Sequence, residues 1–169
     1  MTWPQHIIEL LKAYNIRFLS YVPDAIGERI LQLARHDDFF DILPLAREEE
    51  GVGVVTGQYL GGARGAVLMP TSGVGNAINA LASLAIPYQI PLPLFIGLRG
   101  DLGDFNQTQV PMGQALRPML EALRIPCYAL TRPDEVATVV DGALKLTYAL
   151  ELPVAFLIST QLAGWKDEK

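Results

Sequence analysis

Three carboxylates stand in a row in R-E-E-E-G-V-G, residues 47–53, wedged between the apolar runs D-I-L-P-L-A and V-V-T-G-Q-Y-L. Acids at a helix start complement the helix dipole and ordinarily sit in water. Helical phase separates these three. Glu48 shares a face with Val52, Val55 and Tyr59, Glu49 with Gly53 and Thr56, and Glu50 with Val54 and Gly57. Glu48 therefore lies on the bulkiest and most continuous apolar face. A carboxyl buried without a cationic partner favours its neutral form. In a dry cleft such an acid can exchange a proton with a ring nitrogen.

Three further segments could carry chemistry. T-S-G-V-G-N at 71–76 reads as a glycine-containing turn from strand to helix, where backbone can approach a ligand and a helix start can meet an anion. It has no lysine and the wrong spacing for a phosphate loop, and a tight turn capped by Ser72 or Asn76 accounts for it equally well. In the loop 99–109, Arg99 could pair with an anionic group, and Asn106, Gln107 and Gln109 offer neutral donors and acceptors. Pro23-Asp24 opens a helix after the first strand. His6 and His36 fall on expected helix surfaces, no spacing of His, Cys and acids suggests a zinc site, and Ser72 lacks triad partners.

The elements that must position these residues alternate along the chain. Helical spacing covers 4–14, 25–35, 48–60, 76–85, 113–124 and 134–150; strand-like runs cover 17–22, 39–46, 65–70, 92–98, 127–131 and 154–159. Continuously apolar strands between helices indicate an α/β fold, a single doubly wound domain over 1–169 with a parallel sheet of about six strands flanked by helices. In such a sheet ligands gather at the carboxyl ends of the strands. Asp24, the acidic triplet, T-S-G and the 99–109 loop all begin there, and this agreement marks that edge as the site. The tail 165–169 is expected to be loose or to dock through Trp165.

With 169 residues, the chain suits one domain. Half its residues are apolar and 18% are charged, which leaves apolar surface to spare for a partner. The net charge of −5 and the absence of a basic stripe argue against nucleic acid. Apolar runs are too interrupted to cross a bilayer, and no secretory signal is visible at the N-terminus. Cys127 is the single cysteine, which fits a reducing cytoplasm.

The stretch from R-E-E-E-G through L-M-P-T-S-G-V-G-N-A-I-N-A-L, followed by the loop R-G-D-L-G-D-F-N-Q-T-Q-V-P-M-G-Q, resembles the pyrimidine-binding domain of thiamine-diphosphate-dependent enzymes. The pattern is most similar to the sulfopyruvate and phosphonopyruvate decarboxylases and covers nearly the whole chain. That family carries an essential glutamate nine residues before the glycine that ends its small-residue stretch; here Gly57 places it at Glu48. The resemblance implies that Glu48 is catalytic, hydrogen-bonding the pyrimidine N1′ of thiamine diphosphate so that the thiazolium C2 proton can leave. It also implies that Thr71, Ser72, Gly73, Gly75 and Asn76 border the cofactor, and that Asp24, Arg99, Asn106, Gln107 and Gln109 border the substrate.

The G-D-G segment with which these enzymes hold the diphosphate and its Mg2+ is absent from this sequence. The resemblance therefore implies a split enzyme: an alpha subunit, with no metal site of its own, that shares thiamine diphosphate with a diphosphate-binding beta subunit. The substrate implied is a small anionic 2-oxo acid, foremost 3-sulfopyruvate. A phosphonopyruvate decarboxylase half, an acetolactate-synthase-like carboligase half and a noncatalytic regulatory subunit are the alternatives. The loop lacks the histidine typical of phosphonopyruvate enzymes, having F-N-Q-T-Q at 105–109.

Overall fold

A computed structural model describes residues 1–164; the expectations for 165–169, Trp165 included, lie outside them. The first helix, α1 (Trp3–Ala13), has Pro4 in its first turn and turns Trp3, Ile7, Ile8 and Leu11 inward. Strand β1 (Ile16–Tyr21) follows, then α2 (Glu28–Ala34), β2 (Asp41–Pro44), α3 (Glu48–Leu60) and β3 (Arg64–Pro70). Next come α4 (Thr71–Ala80), which runs on into a π-helical turn over Leu81–Ala85, then β4 (Leu92–Gly97) and α5 (Val110–Ala122). The chain continues through β5 (Cys127–Leu130), α6 (Val136–Leu150), β6 (Pro153–Ile158) and the short α7 (Thr160–Ala163).

The strands form one six-stranded sheet, all parallel, in the order β2-β1-β3-β4-β6-β5. Apolar alternation along each central strand feeds two separate cores. In β3, Ala66 and Leu68 join the core shared with α1, α2 and α6, whereas Val67 and Met69 join the core shared with α3, α4 and α5. Phe95 and Phe156 sit opposite each other in β4 and β6 and stack at 4.6 Å between ring centroids. Both sheet faces are covered, which is why the central strands are apolar throughout rather than on every second residue. Among the described residues no helix is long and apolar enough to cross a membrane.

The strand order reverses between β1 and β3: the chain leaves β1 for the edge strand β2, then returns across β1 to β3. A crevice outside the carboxyl ends of those two strands is the expected ligand position. The structure differs from the sequence reading at the elements that border it. Helix α4 begins directly at Thr71, with Pro70 in extended conformation as its cap residue, so T-S-G-V-G-N is the first part of a helix and not a turn before one. Neither Ser72 nor Asn76 caps it. Helix α2 begins only at Glu28, because Asp24 first turns its carboxylate back onto the amides of Ile26 and Gly27, at 3.1 Å each. Helix α5 starts at Val110, where Pro111 suits a first turn. The short α7 was not anticipated; the Ser159 hydroxyl caps it by accepting from Leu162 N at 3.1 Å.

Candidate active site

Helix α3 brings Glu48 into the crevice. Its buried residues are Glu48, Gly51, Val52, Val55 and Thr56, close to the face that helical phase picks out. The absent side chain of Gly51 lets the helix lie against the sheet, since a Cβ there would stand 2.8 Å from Val67 Cγ1 and 3.0 Å from Leu45 Cδ1. The three glutamates then part ways. Glu50 is exposed and its Oε2 accepts from the amides of Ala46 and Arg47 at 3.0 and 3.2 Å, closing the helix start. Glu49 pairs with Arg47 at the surface, 3.1 Å apart. Glu48 is only 8% exposed.

Helix α4 shapes the ground beside Glu48. Asn76 Nδ2 donates to Glu48 Oε2 at 3.1 Å. Gly73 lies directly against the carboxyl: a Cβ on Gly73 would be 2.2 Å from Glu48 Cγ and 2.3 Å from Oε1. Among the described residues nothing donates to Oε1. The acid is thus oriented through one oxygen and left with the other for a ligand. A carboxyl so placed fits a cofactor that presents a ring nitrogen, the group a pyrimidine offers. Ser72 and Gly75 are exposed along the same helix, Gly75 with Met112 of α5 beside it.

Thr71 departs from its expected role as a cofactor contact. It is fully buried, its hydroxyl donating to Gly97 O at 2.7 Å and accepting from Arg99 N at 2.9 Å. It fastens the start of α4 to the end of β4 and presents nothing to a ligand.

A separate pocket lined by Asp24, Ile26, Arg99, Asp104, Phe105 and Thr160 opens at the carboxyl ends of β1, β4 and β6. Asp24 packs against Gly97, where a Cβ would come within 2.1 Å of its Oδ2. Asn106, Gln107 and Gln109, expected to meet a substrate, are not among the lining residues. Asn106 Oδ1 is taken by the Thr108 amide and hydroxyl at 3.1 and 2.8 Å, Gln107 points to solvent, and Gln109 precedes α5 as its cap residue. Arg99 does line the pocket, but it is already forked onto Asp104, with Nε–Oδ2 2.7 Å and Nη2–Oδ1 3.1 Å. Asp104 was not singled out by the sequence reading. The available signal was an acid five residues after Arg99, across the two glycines of R-G-D-L-G-D. Of the histidines, His36 is exposed and His6 half-buried on α1, both away from these groups.

The Arg99 guanidinium holds the Asp104 carboxyl far below the usual carboxylate range against the opposing effect of burial, helped by the amides of Gly100 and Asn106. A folded-state value below the unfolded one gives stability that is present above the unfolded value and lost as pH falls towards the folded one. Asp104→Asn is therefore expected to cost about 3 kcal/mol at pH 7, since it leaves a mostly buried guanidinium without its counter-charge. The gap between wild type and variant should narrow as pH drops below the ordinary carboxyl value of 3.8. Urea unfolding of both proteins at pH 7 and at a pH below 3.8 measures the difference, and a gap that widens in acid would contradict the assignment.

No protein-family model matches the chain. It is 40% identical to the sulfopyruvate decarboxylase subunit alpha of Methanococcus maripaludis over 92% of each chain, and 40% identical to that of Methanocaldococcus jannaschii over 96% of each. The phosphonopyruvate decarboxylase of Streptomyces viridochromogenes is 30% identical over 88% of this chain but only 38% of its own length. Among solved structures, the 2-oxoglutarate:ferredoxin oxidoreductase from Magnetococcus marinus shares the fold with a TM-score of 0.78 at 14% identity, covering 96% of this chain and 29% of that one. Near full-length identity at this level decides the matter: the chain belongs to the family of sulfopyruvate decarboxylase alpha subunits.

Proposed function

We propose that the chain is the alpha subunit of a thiamine-diphosphate-dependent carboxy-lyase that converts 3-sulfopyruvate to sulfoacetaldehyde and CO2. The observation that carries this reading is Glu48: a nearly buried carboxyl, oriented by Asn76 and kept in contact with Gly73, with one oxygen lacking a donor among the described residues. When bound, thiamine diphosphate supplies the nucleophilic thiazolium carbon and the electron sink that loss of CO2 from a 2-oxo acid requires. Glu48 would hold and move a proton at the pyrimidine N1′. Asn76 fixes the carboxyl's direction, the missing side chain of Gly73 makes space for it, and the exposed Ser72 and Gly75 border the same ground. Asp24 and Arg99 would border the substrate, Arg99 through whatever reach its fork with Asp104 leaves.

The family likeness supports a beta subunit that holds the diphosphate and Mg2+ and closes the cleft over Glu48, excluding water from the proton transfer. The lone Cys127, half-buried and hydrogen-bonded to Ile125 O at 3.3 Å, suits a hetero-oligomer working in a reducing cytoplasm. The test is to combine the chain with the product of a neighbouring gene that carries a G-D-G magnesium motif, add thiamine diphosphate and Mg2+, and measure CO2 and sulfoacetaldehyde from sulfopyruvate. Both products should appear only when all components are present. Acetolactate formed from pyruvate, with sulfopyruvate untouched, would instead identify a carboligase half.

A further inference from the structure

The 99–109 loop is built around one buried carboxylate. Asp104 accepts four hydrogen bonds: from Arg99 Nε at 2.7 Å and Nη2 at 3.1 Å, from Gly100 N at 2.8 Å, and from Asn106 N at 3.0 Å. Between the two partners the backbone doubles back through positive φ at Gly100 (70°) and Gly103 (79°), a conformation that suits glycine. Arg99 is also clamped through its main chain. Its N–H donates to Thr71 Oγ1, and its carbonyl packs on Gly113 of α5, where a Cβ would come within 2.0 Å of the oxygen. The side chain and both backbone groups of this arginine are therefore held by three different elements.

Which partner of the pair faces the pocket can be read from exposure. The Asp104 side chain is 2% exposed and that of Arg99 is 14%. The second acid of the pocket, Asp24, directs Oδ2 at the amides of Ile26 and Gly27. Asp104 thus spends both its oxygens on internal donors and Asp24 spends one, and Arg99 is the pocket's cation with a side-chain donor left over. A guanidinium is a rigid planar fork, so fixing Nε and Nη2 also fixes the direction of Nη1. Among the described residues nothing accepts from Nη1.

We propose that Asp104 is a positioning residue for the decarboxylation: it acts through Arg99, holding the free guanidinium edge in place at the pocket so that an anionic group of the 2-oxo acid meets an oriented donor. A donor held in advance does not have to be ordered when the substrate arrives. This role rests on the function proposed above and adds to it a residue that makes no substrate contact of its own.

A double-mutant cycle on the assembled enzyme, with beta subunit, thiamine diphosphate and Mg2+ present, tests it. Asp104→Asn and Arg99→Lys should each raise KM for sulfopyruvate about tenfold or more while changing kcat much less, as expected for loss of binding common to ground and transition states. Because one residue acts through the other, the double variant should be no worse than Arg99→Lys alone. If Asp104→Asn fails to assemble, Asp104→Glu keeps the carboxylate, displaces it by one methylene and serves in the same cycle. Losses that multiply in the double variant, or a fall in kcat at constant KM, would overturn the role while the decarboxylase reading stands. A wild-type assembly that leaves sulfopyruvate intact would overturn the decarboxylase reading itself, and this role with it.

Discussion

Glu48→Gln should reduce CO2 release from sulfopyruvate by about 10²- to 10⁴-fold in the assembled enzyme, the range that a positioned acid or base contributes. The substitution is close to isosteric. The amide oxygen of Gln can still accept from Asn76 Nδ2, and the side chain can still lie against Gly73. What it loses is the capacity to hold and release a proton at the oxygen that Asn76 does not use. Stability should fall by about 1–3 kcal/mol at most, since Asn76 keeps its acceptor but the new amide NH2 takes the place of the oxygen for which the described residues offer no partner. Thermal unfolding of the isolated chain and kinetics of the complex therefore separate the two effects. Glu49→Gln and Glu50→Gln are the controls. Glu49 holds only a surface pair with Arg47, so its loss should scarcely affect either readout. Glu50→Gln should show a modest stability cost from the weakened helix start and near-normal turnover. An assembly with Glu48→Gln as active as wild type would remove Glu48 from the chemistry and favour a noncatalytic subunit with this fold.

The separation of Glu48 from its neighbours was legible before any coordinates, because helical phase depends on spacing alone and the apolar face of α3 is nearly continuous. The same holds for the sheet. All six strands fall where apolar runs alternate with helical spacing, with ends displaced by at most one residue except in β2, which loses two at each end, 39–40 and 45–46 lying outside the ladder. What spacing could not show were contacts made across the strand order. The Thr71 hydroxyl is spent on Gly97 and Arg99 because β3 and β4 are neighbours in the sheet, a fact of topology and not of local sequence. T-S-G-V-G-N reads as a turn because of its glycines, but the segment is helical from Thr71, and Gly73 is the place where a Cβ would collide with the Glu48 side chain. The 99–109 loop shows the same limit: spacing does not reveal that two Arg99 nitrogens and the Asn106 side-chain oxygen are taken up in holding the loop together.

Gly73→Ala puts the helix propensity of α4 in direct conflict with the site. In an unobstructed helix interior, glycine to alanine stabilises by about 1 kcal/mol. At Gly53 and Gly57 of α3 a Cβ would meet nothing within 4 Å, and there the isolated chain should show that gain. At Gly73 the new methyl would fall 2.2 Å from Glu48 Cγ and 2.3 Å from both Cδ and Oε1, far inside contact distance. Either the carboxyl swings away from Asn76 or α4 lifts off α3, whose residues pack closely along it. Overpacking of this kind costs about 1–3 kcal/mol, which equals or exceeds the propensity gain, so the net effect on stability should be a loss of up to about 2 kcal/mol. The effect on turnover should be far larger, because the methyl displaces the one carboxyl that the proposed chemistry requires. A loss approaching that of Glu48→Gln is expected, and combining Gly73→Ala with Glu48→Gln should add little to it. Denaturant unfolding of the three glycine variants, alongside CO2 release from their complexes with the beta subunit, measures both sides of the conflict. A Gly73→Ala enzyme with wild-type activity would mean that the carboxyl works from a position other than the one against Gly73.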